Sequence, residues 1–433
     1  MNKVKRLLFV LPILTLLFGC KKKTYNDTSK NSDKTTKTVV TTKNNGKTNN
    51  TTTTSIKTTK KNNNGKCHYE FVDYDGTILL QNDVTKGTTI SESIIPKPNR
   101  ANEGEYFYYF TGWDKEVNRT INSDVTYTAQ YEKLLIPYTI SGNKAYFGYY
   151  PQTYVSDESI TTSLNTTAKL PQTNDNWISY NYYSDNSKSD YMWYIDLDTN
   201  SDGRYDYRGV YFTDYRPYKT TYQNVEGYSR IDDNGYLAET VYWFKYEIIE
   251  WDILKTNDGS KLLLANLVLD SQEFYPDHNN IPFKHNGAEG YVNTYKLSEI
   301  RKWLNDNLYN TAFNSTEQKI ILLSDFSTRE YVQTGTKSSS CKDYIYLLSD
   351  TELENYISNP SSRTCSATDY AKIQGVSMNS NIALWGLRTP SNASQSSSNT
   401  AIQSQYVDFN GYMYNQGTDY TDIGVRPCLL IKA

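Results

Sequence analysis

Along residues 125–132 the chain alternates strictly: Val125, Tyr127, Ala129 and Tyr131 are apolar or aromatic, and Thr126, Thr128, Gln130 and Glu132 lie between them. A period of two predicts a strand with one face buried. Further on the period changes. Ile300, Trp303, Leu304 and Leu308 fall three and four residues apart behind Ser298, which predicts a helix capped by that serine. Ser315 and Thr316 with Glu317 predict a second short helix running towards Leu323, and Ser349 a third around Leu353. Ser366 with Asp369 reads as a capping box for a fourth, with Gly375 as its stop. The last block, Ala383 to Ala433, returns to strands. Asn410-Gly411 between two aromatic runs predicts a hairpin turn with positive φ at both residues, and Asp75-Gly76 predicts another tight turn near the start. Strands, a helical middle and a closing sheet make an α+β chain, without the rhythm of βαβ units.

A length of 433 residues leaves room for two or three domains, and 37% hydrophobic with 14% aromatic residues is enough to bury a core. Tyrosine stands out at 41 residues. Either the tyrosines form platforms for sugar or protein surfaces, or they record an AT-rich coding sequence. The net charge of -3 hides a split: residues 1–65 carry Lys3, Lys5, Arg6 and eleven lysines against Asp27 and Asp33, so the remainder is strongly acidic. An acidic head on a basic stalk argues against nucleic acid as a partner.

The first residues explain that split. Lys3, Lys5 and Arg6 precede an apolar run from Leu7 to Phe18, the layout of a secretory signal and too short to span a bilayer. Leu17-Phe18-Gly19-Cys20 resembles the lipobox of bacterial lipoproteins, except for the bulk of Phe18. That resemblance implies a signal peptide over 1–19 and a diacylglycerol on Cys20, which anchors the chain to the outer face of a bacterial membrane. Residues 20–65 are Thr, Asn and Lys with almost nothing apolar, and are expected to be a disordered stalk. Its lysines either meet anionic lipid and cell-wall polymer or are simply solvated.

Residues 66–134, with FVDYDGTIL, IIPKPNR and YFTGWD around Trp113, look like one internalin B-repeat. The resemblance implies a small β-grasp-like module used as a spacer or weak adhesion unit. From 135 to 433, the segments AYFGYYPQTYVSD, DYRGVYFTDYRPY, VYWFKYEIIEWDILK, LVLDSQEFY, IRKWLNDNLYNTAF, ALWGLRTP and GVRP resemble an uncharacterised family of bacterial extracellular domains. The final block is also distantly similar to the end of formylglycine-generating enzymes, which implies a C-type-lectin-like fold. It implies no activity. The paired active-site cysteines of those enzymes have no counterpart among Cys341, Cys365 and Cys428.

Candidate chemistry is sparse. Asp198, Asn200, Asp202, Gly203 and Asp206 occupy positions 1, 3, 5, 6 and 9 of a calcium loop, and Arg204 would offer its carbonyl at position 7. Gly209 stands where an EF-hand has glutamate, and both flanks read as strands, so the stretch is either a Ca2+ site or an acidic turn built on Asp202-Gly203. His278 and His285, near Asp277, lack metal-ligand spacing. Cys341 and Cys365 either form a disulfide or remain separate thiols. Arg388 of LWGLRTP and Arg426 of GVRP sit in apolar contexts where a cation needs a partner, with Asp408 and Asp422 in the same block, and Trp385 joins them as a candidate ligand or structural residue. They form either a two-arginine site for an anionic ligand or buried structural pairs. Together these features favour a surface lipoprotein displaying a non-catalytic adhesion head for glycan or protein. An extracellular enzyme acting on glycan or protein is the alternative, and the substrate-binding lipoprotein of a transporter a third.

Overall fold

The structure is a computed structural model that describes residues 65–180, 192–213, 234–276, 283–285, 288–332, 335–391 and 403–433. Cys20, the signal and the stalk lie outside the described residues, as do Asp277 and His278. The described chain is rich in strands with a few short helices. Residues Asn63–Ala433 form one compact unit.

The first sheet holds β1 (Lys66–Val72), β2 (Ile78–Thr85), β3 (Tyr106–Trp113) and β4 (Val125–Leu135), in the spatial order β2-β1-β4-β3. The two central strands, β1 and β4, run parallel, with Tyr69 opposite Val125 and Val72 opposite Thr128. The alternation in β4 does what its pattern predicts: Tyr127 and Ala129 are buried. Tyr127 stacks on Phe71 at 4.9 Å, and Trp113 meets Phe71 edge-on. The Asp75-Gly76 turn is a three-residue loop closed by Asp73 N–H to the Thr77 carbonyl, with Gly76 at φ 87°.

The larger part begins with β5 (Lys144–Tyr154), α1 (Glu158–Ala168), β6 (Met192–Leu197), β7 (Tyr207–Phe212), β8 (Tyr242–Asn257) and β9 (Ser260–Ala265). Among the described residues short helices follow, α2 (Glu299–Trp303), α3 (Ser315–Ile320), α4 (Asp350–Tyr356) and α5 (Asp369–Gln374). The chain closes with β10 (Trp385–Pro390), β11 (Gln403–Val407), β12 (Met413–Gly417), β13 (Gly424–Val425) and β14 (Cys428–Lys432). The sixteen-residue β8 is the spine of the main sheet. One of its edges pairs with β5, the other first with β7 and then with β9, and β14 completes the run beside β9. β10 to β13 with the Asp270–Ser271 strand make a second, five-stranded sheet.

Helix starts follow local chemistry, with three departures from expectation. Ser298 caps α2 as the pattern predicts, but the helix widens to a π turn over Leu304–Leu308 before resuming at Tyr309–Ala312. Ser349 caps α4 in a capping box with Glu352, whereas α3 is boxed by Asn314 with Glu317 rather than opened by Ser315. α5 is capped by Thr368, not Ser366, and stops at Gly375 with φ 104°. The Asn410-Gly411 turn is also a three-residue loop with positive φ at Gly411 alone, because Asp408 N–H bonds the Tyr412 carbonyl. There a Cβ on Gly411 would come within 1.7 Å of the Pro360 carbonyl oxygen, so only glycine fits.

The small sheet and the head share packing. Phe107 of β3 is fully buried in the same apolar cluster as Phe147, Trp251 and Phe313.

Candidate functional site

β6 and β7 pair in register, so Tyr194, Asp196, Arg208 and Val210 share one face. Phe244 and Tyr246 of β8 continue that face, and α5 packs over it through Tyr370. Arg208 is therefore an arginine placed on the inner side of a sheet. Such a cation has to be paired. Its Nε and Nη2 donate to the two Asp196 oxygens at 2.7 and 2.6 Å, a two-pronged pair, and Nη1 donates to the Tyr370 hydroxyl at 3.0 Å.

Phenols surround that pair. Tyr246 donates to Asp196 at 2.9 Å, and the Tyr180 and Tyr370 hydroxyls share a bond of 2.7 Å to which Gln374 also donates. The guanidinium lies 4.4 Å from the ring centre of Tyr194, which packs 4.8 Å from Tyr180. Deeper, Tyr150 donates to Asp270 at 2.6 Å. Outwards, Tyr205 packs 5.8 Å from Tyr246 and is 49% exposed. The result is a graded row of rings from the core to solvent, oriented by one buried ion pair.

Burial governs the ionisation of this row. It pushes the Tyr150, Tyr180 and Tyr246 phenols well above the usual tyrosine range, so they stay protonated hydrogen-bond donors. Burial opposes the charge on Arg208, but Asp196 outweighs it and holds the guanidinium charged. Burial also raises the Asp270 carboxyl to about 6, against the pull of its bonds from Tyr150, Ser271 N–H and Gln272.

The closing-block arginines are arranged differently. Arg388 gives Nη1 to the Leu347 carbonyl at 2.7 Å and to the Glu352 carboxylate, and Nη2 to the Ser327 carbonyl at 3.2 Å, beside the Phe326 and Tyr346 rings. Arg426 gives Nε to the Ala265 carbonyl at 2.8 Å and Nη2 to Asp252 at 3.3 Å, and lies 4.9 Å from the Trp385 ring centre. The partners are thus Glu352 and Asp252, not Asp408 and Asp422. Asp408 instead accepts the Asn410 and Tyr412 N–H groups and shapes the hairpin loop. Trp385 is fully buried, with Nε1 bonded to the Arg363 carbonyl, so its ring packs the interior.

The acidic loop turns its side chains onto itself. Asp198 accepts from Asp202 and Gly203 N–H, Asn200 from Asp202 N–H, and Asp202 from Arg204 N–H. Asp206 accepts from Thr199 N–H and Oγ1, and from Asn200 Nδ2. The Arg204 side chain leaves the loop to pair with buried Glu317 at 3.1 Å, across the Tyr149 ring. Among the described residues no group of three or more His, Cys, Asp or Glu is gathered to hold a metal ion. Cys341 and Cys365 are both free and buried, which corrects the disulfide alternative. Cys341 stands on a strand opposite Phe326, and the Cys365 thiol bonds the Asn266 carbonyl, so each is committed to a different neighbour.

The row around Arg208 was not foreseen. Its signal was present in Tyr207-Arg208-Gly209-Val210, where a period of two puts an arginine on the same side as Val210 and Phe212.

No curated protein and no solved structure matches the chain. A family described as a domain of unknown function, DUF6273, matches residues 258–433, so that the closing portion, with Asp270, Tyr370, Arg388 and Arg426, is similar to it while Tyr150, Asp196 and Arg208 lie outside the match.

Proposed function

We propose that this is a lipid-anchored protein of the outer face of a bacterial membrane, whose head binds a glycan or protein ligand without turning it over. On this reading Cys20 carries the lipid, residues 20–65 are the stalk, 66–134 form a β-grasp-like repeat of internalin type, and 135–433 form a C-type-lectin-like head. One observation carries the binding role: the row Tyr180, Tyr194, Tyr246 and Tyr205, fixed by the Arg208–Asp196 pair and reaching solvent at Tyr205. Rings with a polar tip offer a flat apolar face and a hydrogen bond together, which suits a sugar ring or a peptide surface. Burial keeps the Tyr180 and Tyr246 phenols protonated, and their hydroxyls are bonded within the row, so they hold the exposed Tyr205 ring in place rather than act as a base.

Two experiments test this. Labelled palmitate should enter the wild type and not Cys20→Ser, and equal labelling would end the anchor. A glycan-array and host-matrix screen of the intact protein should find a ligand that is recovered unchanged, and its conversion to product would favour an extracellular enzyme instead.

A further inference from the structure

We propose that the four-stranded module is a load-bearing clamp that resists being pulled away from the head. The use of such a clamp rests on the anchored reading above, but its mechanics do not.

The topology sets two poles. β1 and β4 are parallel and adjacent, so the chain enters the module at Lys66 at one end and leaves β4 at Leu135 at the other. The head grips that second end. Tyr106 of β3 lies opposite Leu135, Phe107 is buried in the head core, Lys432 Nζ donates to the Tyr108 carbonyl at 2.7 Å, and Lys319 pairs with Glu132 at 2.7 Å. A pull on the chain before Lys66, resisted by the head, therefore acts along the strands. Parallel neighbours loaded from opposite ends are sheared: their cross-links carry the load together and must fail together. Antiparallel neighbours loaded from the same end are unzipped, one rung at a time.

The cross-links between β1 and β4 form a continuous series. His68 N–H bonds Asp124 at 2.7 Å, Tyr69 to Val72 pair with Val125 to Thr128, and Thr126 Oγ1 donates to Glu70 at 2.7 Å. Phe71 stacks on Tyr127, and Tyr131 donates to Asp73 at 2.8 Å. Every residue from His68 to Asp73, just past the end of β1, is thus tied to β4 or its approach. Only β1 and β4 are both central in the sheet and joined at opposite poles to the two ends of the module.

Single-molecule pulling on the full chain tests this within one protein. In the first geometry the handles are at the N-terminus and at exposed position 135. In the second they are at the N-terminus and at exposed position 86, next to Thr85, which pairs with Lys66. At equal loading rate the first geometry should need a several-fold higher force, because forced unfolding is set by the barrier along the pulled direction. Thr126→Val should lower the first force and leave the second unchanged. Equal forces, or a lower force in the first geometry, would overturn the clamp. The palmitate experiment reports separately: a strong module on an unanchored chain sinks the anchor alone, and a weak module on an anchored chain sinks the clamp alone.

Discussion

Arg208 and the pair Arg388 and Arg426 are all buried cations, yet they do opposite things to their surroundings. Arg388 and Arg426 spend donors on main-chain carbonyls of Leu347, Ser327 and Ala265, and so tie the closing strands to the segments beside them. Arg208 spends its donors on Asp196 and a phenol, and so orients side chains. The first arrangement ties buried backbone segments together, each guanidinium also meeting one partly exposed carboxylate. The second leaves a row of rings that runs out to solvent. A buried arginine next to a conspicuous motif is thus a poorer guide to a binding surface than one whose neighbours are themselves side chains with an exposed end.

The largest effects should come from cutting the ties. Arg426→Ala should cost less than Arg388→Ala, because Asp252 keeps Lys144 at 2.7 Å, whereas Arg388→Ala leaves Glu352 and two carbonyls without their cation and should cost about 3–5 kcal/mol in denaturant unfolding. Arg208→Ala should cost a similar amount, since it strands Asp196. Arg208→Lys sharpens the contrast: lysine keeps the charge but loses the two-pronged fork, so the rings should loosen and tyrosine near-ultraviolet dichroism should fall. Unchanged stability in the Arg388 and Arg426 variants would return those residues to the list of ligand contacts.

A smaller effect separates the deep end of the row from its rim. Asp270 has its carboxyl raised in the folded state, to about 6. A raised carboxyl contributes stability that is full below the unfolded value near 4 and is lost as pH rises through 6. Stability should therefore fall by roughly 2–3 kcal/mol between about pH 4 and 6 from this group. Asp270→Asn should flatten that interval, and an unchanged slope would show that another group sets it.

Smaller still is the acidic loop. Asp206→Ala removes three accepted hydrogen bonds at a half-buried position and should cost about 1 kcal/mol. Because these oxygens already serve the loop's own donors, chelation should leave the wild-type melting temperature unchanged. A calcium-dependent rise, absent from Asp202→Ala, would make the loop a cation site instead.

Much of the architecture was readable from local pattern, and much of the site was not. The strand at 125–132, the caps Ser298 and Ser349 and the stop at Gly375 follow from spacing alone, because each depends on residues a few positions apart. Helix α1 is not announced by its threonine-rich sequence, and Asp157 as its cap with Leu164 and Ala168 packed beside Trp243 and Trp177 decides for helix through tertiary packing. The partners of Arg388 and Arg426 were misassigned for a related reason. Glu352 and Asp252 are distant in sequence and were passed over for nearer acids. The Arg208 row escaped because it joins residues from β5, β6, β7, β8 and α5, and no window of sequence holds them together.

The most direct test of the binding row is its outermost member. Tyr205 is half-exposed, so Tyr205→Ala should leave stability within about 0.5 kcal/mol of wild type. Binding of the intact wild type and of Tyr205→Ala to the ligand found by the array should be measured side by side, with melting temperatures matched. A loss of affinity of about tenfold, or 1.4 kcal/mol, at unchanged melting temperature is the expected result. Equal affinity in the two proteins would contradict the assignment of this row as the binding surface.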